Sequence, residues 1–145
     1  MTAPRSTKQE YAYRRFKVDD TASGECPFCA IKKGHEQFVS ESKHFMTIRN
    51  RTPYSLWDNQ GVIEHLMLIP KQHVYSLDDI NDEGALEFTR LIAKYEASGY
   101  NIYARSTDSV NRSVGHHHTH LMKYDGRIKS FVMMLRKPRY IRITR

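Results

Sequence analysis

The chain is predicted to fold as an antiparallel α+β domain. Three observations lead there. Several short apolar runs are separated by turn-forming residues, one long stretch repeats at helical spacing, and 145 residues suffice for one domain with a real core.

The elements follow in order. Residues 1–24 are polar and partly basic, an N-terminal arm with Tyr11, Tyr13 and Phe16 as anchors onto a domain spanning 25–145. Residues 26–31 read as a turn entering a short N-terminal helix. Residues 38–39 and 45–48 read as short strands. Residues 50–61 carry Pro53, Asp58, Asn59 and Gly61 and read as a loop. Residues 64–69 form a strand that Pro70 ends, since proline has no N–H for the ladder. Residues 78–97 are the clear helix, capped by Asp78 or Asp79, with Leu86, Phe88, Leu91, Ile92 and Tyr95 facing the sheet and Ser98-Gly99 as the stop. Residues 100–105 alternate as a strand, 106–112 form a polar loop, 114–123 a further strand, 125–126 a turn, and 131–135 a last strand.

Composition excludes some classes. No apolar run approaches the ~18 residues of a membrane span, and the first 25 residues lack the apolar core of a secretion signal. The expectation is a soluble, cytoplasmic protein with no membrane partner. The net charge of +7 favours anionic ligands. Basic clusters at Arg14-Arg15, Lys32-Lys33 and from Arg136 to Arg145 are also compatible with nucleic acid, though no recognised nucleic-acid motif accompanies them.

Chemistry concentrates in three motifs. In His116-His117-His118-Thr119-His120, the first, third and fifth residues share one face of an extended chain, and His117 and Thr119 share the other. Imidazole near neutral pH can be nucleophile, proton carrier, phosphate donor or metal ligand. A tag is usually terminal and unbroken, whereas this run is internal and interrupted; a flexible metal-binding tract competes less well, because the flanks read as ordered strand. The second motif is His65-Leu66-Met67-Leu68-Ile69-Pro70-Lys71-Gln72-His73, with one histidine inside a strand and one just past its end. The third is Cys26-Pro27-Phe28-Cys29, half of a four-ligand metal site or a thiol pair able to form a disulfide. His35 and His44 read as structural.

Taken together, these motifs resemble the histidine triad (HIT) family of nucleotide hydrolases and transferases, in its zinc-containing form. The likeness runs from Cys26 to about Tyr124, in the family's order. It implies a five-stranded antiparallel sheet with one long helix, a homodimer, and attack on a nucleotide α-phosphate by His118 to give a nucleotidyl-histidine intermediate. It implies that His120 and His65 assist as N–H donors, that Ser113 contacts phosphate or leaving group, and that Cys26, Cys29, His73 and His116 hold a structural zinc. The substrates implied are dinucleoside polyphosphates, nucleoside phosphoramidates or related conjugates.

The chain also departs from the family pattern. Arg105 and Arg112 stand where relatives carry small or neutral residues, and either could grip a phosphate bidentately. Asn50, in Asn50-Arg51-Thr52-Pro53-Tyr54, belongs to a longer loop that is somewhat like the uridylyltransferase branch and is expected to contact base or ribose. Two alternatives therefore stand beside hydrolysis. One is nucleotidyl transfer, against which His120 argues because transferases commonly carry Gln there. The other is a non-enzymatic zinc module binding nucleotide or nucleic acid.

Overall fold

The computed structural model describes residues 5, 10–16, 24–128, 132–136 and 140–144. Its organising strand is buried on both faces. In β4 (Gln60–Pro70), Leu66 and Leu68 face one way and Met67 and Ile69 the other, and all four are buried. A strand apolar on both sides belongs at a sheet's centre. β4 pairs antiparallel with β2 (Phe45–Arg49) on one side and β6 (Thr119–Ile128) on the other. β1 (Phe38–Glu41) extends the sheet beyond β2, and β5 (Asn101–Ala104) extends it beyond β6. The order β1-β2-β4-β6-β5 contains the five strands expected.

A sixth strand, β3 (Leu56–Trp57), folds back on the start of β4. This corrects the loop expected over 50–61. Asp58 and Asn59 adopt φ of 48° and 57°. Short polar side chains tolerate that left-handed region, and two such residues in succession make the tight hairpin turn that suits strand twist. The turn expected at 125–126 is instead an irregularity inside β6, where Gly126 has φ +68°. The Asp125 carboxylate there accepts the backbone N–H groups of Gly61 at 3.2 Å and Arg127 at 3.0 Å. A Cβ on residue 61 would lie 2.6 Å from an Asp125 oxygen, so any larger residue there would displace that carboxylate. β7 (Val132–Arg136) and β8 (Tyr140–Thr144) form a separate antiparallel pair. The last expected strand is shifted by one residue, and Phe131 lies outside the described residues.

The expected helix over 78–97 is two pieces. A 3₁₀ turn, Leu77–Asp79, is capped by Ser76, whose hydroxyl accepts from the turn while Asp79 reaches back to the Ser76 N–H. Ile80 is then extended, and Asn81 caps the longer helix, Asp82–Ala97, by accepting the Gly84 N–H at 2.8 Å. Residues 10–16 form α1, so Asp82–Ala97 is α2. Phe88, Leu91, Ile92 and Tyr95 of α2 pack on Phe45, Leu66, Leu68 and Leu121, as expected. Leu86 does not, at 52% exposed. It sits two residues from Phe88, about 200° round the helix. Residues 26–31 form no helix; the Cys29 and Ala30 N–H groups both bond the Cys26 carbonyl, at 3.1 and 3.3 Å, and close a turn. Among the described residues no helix is long and apolar enough to cross a membrane.

The sheet thus has one face under α2 and an opposite face holding Met46, Ile48, Met67 and Ile69 with Ile31 and Phe28. Leu121→Ala removes a side chain of 0% exposure and is expected to cost about 2–5 kcal/mol. Asn81→Ala removes only a cap and costs about 1 kcal/mol. Urea unfolding of the two variants checks both the sizes and the order.

Candidate functional site

The histidine run sits where β6 begins. The strand starts at Thr119, so His116, His117 and His118 lie in its extended lead-in rather than within a strand over 114–123. Alternation survives because the lead-in is tied down: the His117 N–H bonds the Val74 carbonyl at 2.7 Å. His117 turns to Thr119 (Nε2 to Oγ1, 3.3 Å), away from its neighbours, as expected. His116 and His118 share the edge of the Phe28 ring, with centroids 6.0 and 5.1 Å away. His118 and His120 are 5.1 Å apart, ring to ring.

Register supplies the fourth imidazole. His65 pairs with Met122 and Met67 with His120, so His65 is the diagonal neighbour of His120 on one face. Their nitrogens, His65 Nε2 and His120 Nδ1, are 2.9 Å apart.

The proton positions follow from obligatory donors. The Tyr54 backbone N–H points at His65 Nδ1 at 3.1 Å, so that nitrogen accepts. Neutral His65 then carries its hydrogen on Nε2 and donates to His120 Nδ1. His120 in turn carries its hydrogen on Nε2, which lies 3.5 Å from the Tyr54 hydroxyl. His118 Nδ1 lies 2.9 Å from the His116 carbonyl and must donate, which leaves the lone pair on Nε2. Burial drives all three imidazoles toward the neutral form. It pushes His65 down to about 3, assisted by the charges of Arg5 and His118, and carries His120 well below its ordinary value. His118 is lowered by burial too, against the opposing pull of the His116 carbonyl.

A second cluster adjoins the first. Cys26, Cys29, His73 and His116 bring four donor atoms within 4.8 Å of one another, a group that could hold a metal ion. His116 Nδ1 lies 3.5 Å from each sulfur, and His73 Nδ1 lies 3.3 Å from Cys29. A tetrahedral zinc has S···N edges of ~3.6 Å from its usual bond lengths. The His116 Nε2–H donates to the Pro70 carbonyl at 2.9 Å, which turns the bare Nδ1 toward the sulfurs. Both cysteines are free thiols.

A cleft of about 810 Å³ opens over both clusters. Arg5, Arg51, Arg105 and Arg112 line it, and Glu25 is the only acid among its described lining residues. Arg105 reaches the hydroxyls of Tyr54 and Tyr103, each at 3.3 Å. Arg112 is largely committed to backbone, with Nε on Val114 O at 3.2 Å and Nη2 on the carbonyls of Tyr75 and of Gly115 at 2.7 Å. Its Nη1 is buried without a partner and is not presented to the cleft, so the bidentate grip expected of Arg112 is not available. Ser113 lies on the cleft wall, exposed. Asn50 lies beside the His65 ring, its amide nitrogen 3.2 Å from Nε2 and its oxygen taken by the Thr52 N–H at 2.9 Å. His44 is structural, 2.6 Å from Glu87, and His35 accepts the Gln37 N–H in a turn while lining the cleft.

Two contributors escaped sequence reading. Tyr54 packs its ring 4.5 Å from His65 and 5.4 Å from His120. Its place in Asn50-Arg51-Thr52-Pro53-Tyr54 was the available signal. Arg5 had none, for it comes from a polar arm with no motif. Of the arm's expected anchors, Tyr13 holds Arg5 and Phe16 holds Arg51, while Tyr11 is 70% exposed.

The chain is similar to several known proteins. The adenosine 5′-monophosphoramidase of Saccharomyces cerevisiae is 32% identical over 107 residues, covering 70% of this chain and 64% of the relative. That of Candida albicans is 29% identical over 110 residues, covering 67% and 68%. A solved HIT family hydrolase from Legionella pneumophila superposes with TM-score 0.52 at 25% identity, covering 71% of this chain and 94% of its own. The chain is thus similar in sequence to these phosphoramidases and in fold to the HIT family hydrolase. No family model matches it. The chain spans about two thirds of the length of the two fungal relatives.

The buried neutral histidines make the stability of the fold sensitive to acid. An unfolded histidine takes a proton below pH ~6.5, which His65 and His120, 5% and 4% exposed, refuse. The unfolded state therefore binds more protons, and stability is present above that value and lost as pH falls through it. Each such group withdraws about 1.4 kcal/mol per pH unit below it. Urea midpoints from pH ~7 to ~5 should fall steadily; a level midpoint contradicts the buried neutral pair.

Proposed function

We propose that the chain is a nucleotidyl hydrolase of the zinc-containing HIT type. His118 Nε2 attacks the α-phosphorus of a nucleotide conjugate, forming a P–N bond as the bond to the leaving group breaks. The leaving group departs with that electron pair; the N–H groups of His120 and, behind it, His65 meet the charge of a phosphate, and an amine takes a proton from solvent as it leaves. Water then attacks phosphorus, the P–N bond breaks, the pair returns to Nε2, and a water proton passes to solvent. The products are a nucleoside monophosphate and the free leaving group.

The observation that carries this reading is the single tautomer of His118. Its Nδ1–H is held by the His116 carbonyl, so a neutral imidazole presents a lone pair in a basic cleft without activation by a metal. The held Nδ1–H also stabilises the positive imidazole of the intermediate. Arg105 is suited to the non-bridging phosphate oxygens, with the charge of Arg112 and the Ser113 hydroxyl nearby. Asn50 lies against the His65 ring. The names of the fungal relatives point to the same reaction class.

Zinc fits the Cys26, Cys29, His73 and His116 donors. Two thiolates and two imidazoles fill four positions and leave none for water, so the ion's work is structural. It ties the Cys26–Cys29 turn, and the Phe28 ring that turn carries, to the residue that orients His118.

Two expected outcomes test the proposal. His118→Ala and His118→Asn should each lower hydrolysis of adenosine 5′-phosphoramidate on the order of 10³-fold or more, with the folded chain still binding adenosine monophosphate; unchanged turnover excludes the mechanism. Cys26→Ser with Cys29→Ser should abolish stoichiometric zinc in elemental analysis and lower the melting temperature, whereas full zinc content in that variant excludes the assigned ligands.

A further inference from the structure

The cleft contains more positive charge than one reacting phosphate calls for. A nucleotidyl phosphoramidate has one negative charge at its phosphorus. Four arginines against one glutamate line the cleft. Arg105 and Arg112 flank the triad. Arg5 stands elsewhere, and its surroundings are specific.

Its Nε donates to the Thr52 carbonyl at 3.1 Å. The guanidinium carbon lies 4.1 Å from the centre of the Tyr13 ring in α1 and 5.1 Å from that of Tyr54. The nearby acid of its own segment, Glu10, is paired with Arg14 at 3.2 Å. Among the described residues no carboxylate pairs with Arg5. One edge of the fork is thus fixed to backbone, two rings hold its plane, and the Nη donors have no hydrogen-bond partner among the described residues. Arg51 over Phe16, at 3.9 Å, is a second contact of this kind between α1 and the loop, so the segment's seat on the cleft is built from both sides.

The position decides the role. Tyr54, on which Arg5 rests, packs against His65 and His120, the pair that faces the leaving group in the proposed reaction. Arg5 makes its charge felt at both of those imidazoles, where burial remains the larger effect. A guanidinium with no paired carboxylate among the described residues, resting on the ring that packs against His65 and His120, suits a second phosphate.

We infer that Arg5, delivered by the N-terminal segment, binds phosphate on the leaving-group side of the cleft and so selects nucleotidyl conjugates whose leaving group is a phosphate over those whose leaving group is an amine. This rests on the hydrolase reading given above. The chemical class selected is a nucleotide joined through a P–O–P linkage to a further phosphate. Arg5 is therefore a specificity residue, separate from the covalent step.

The test uses the full chain, wild type and with Arg5→Ala or Arg5→Lys, against a dinucleoside tetraphosphate and adenosine 5′-phosphoramidate. Arg5→Ala should lower the ratio of the two kcat/KM values, tetraphosphate over phosphoramidate, at least tenfold, and Arg5→Lys should restore part of it. Calorimetric titration with inorganic tripolyphosphate should show affinity at least tenfold weaker for Arg5→Ala. Equal losses on both substrates, or tripolyphosphate affinity unchanged in the variant, overturn the assignment and reduce Arg5 to a tether for Thr52. If the wild type hydrolyses neither substrate, the hydrolase reading fails, and the tripolyphosphate titration still reports whether Arg5 holds an anion.

Discussion

One residue joins the two chemical clusters of this protein. The His116 ring points its Nδ1 at the sulfurs of Cys26 and Cys29, while its own carbonyl holds the Nδ1–H of His118. Each contact depends on the chain being extended from 116 to 120, because only alternation sends 116, 118 and 120 to one face and 117 and 119 to the other. A shift in the cysteine turn would reach His118 by two routes: through the backbone of His116 and through the edge of Phe28. Geometry at the triad is consequently set outside the triad.

Burial and charge act together on the imidazoles. Little solvent reaches His65, His118 and His120, and desolvation disfavours their charged forms. The arginines around them oppose protonation further. The same arginines give the cleft the positive wall that the proposed reaction asks for. A neutral ring in a positive cavity can approach an anionic phosphorus without first losing a proton, and the wall then meets the charge that develops. Arg112 shows the cost: with two of its nitrogens holding the 75 and 114–115 carbonyls, its Nη1 is buried with no partner.

Much of the sheet was legible because its strands announce themselves locally. β2, β4 and β5 carry period-two or continuous apolar runs, and Phe88, Leu91, Ile92 and Tyr95 mark one helix face. Errors fell where local signals compete. Asp78 and Asp79 look like caps, yet Ser76 and Asn81 do the capping on either side of an extended Ile80. Leu86 matched the apolar count and missed the face. Asp58-Asn59 looked like loop composition, although two polar residues able to adopt positive φ also make a hairpin.

By itself the chain determined the ingredients: which residues can bind protons, metal and phosphate, and the alternation that sorts His116, His118 and His120 from His117 and Thr119. It also determined the α+β class of the fold around them, since periodicity is written in neighbouring residues. Only the tertiary structure decided which ingredients meet. The diagonal of His65 and His120 exists through the register of β4 with β6, and the Cys26 turn reaches His116 across 90 positions. Arg5 comes to Thr52 across 47. Such contacts have no local signature, because they depend on how separate segments bury their apolar faces against one another and not on the residues beside them in the chain.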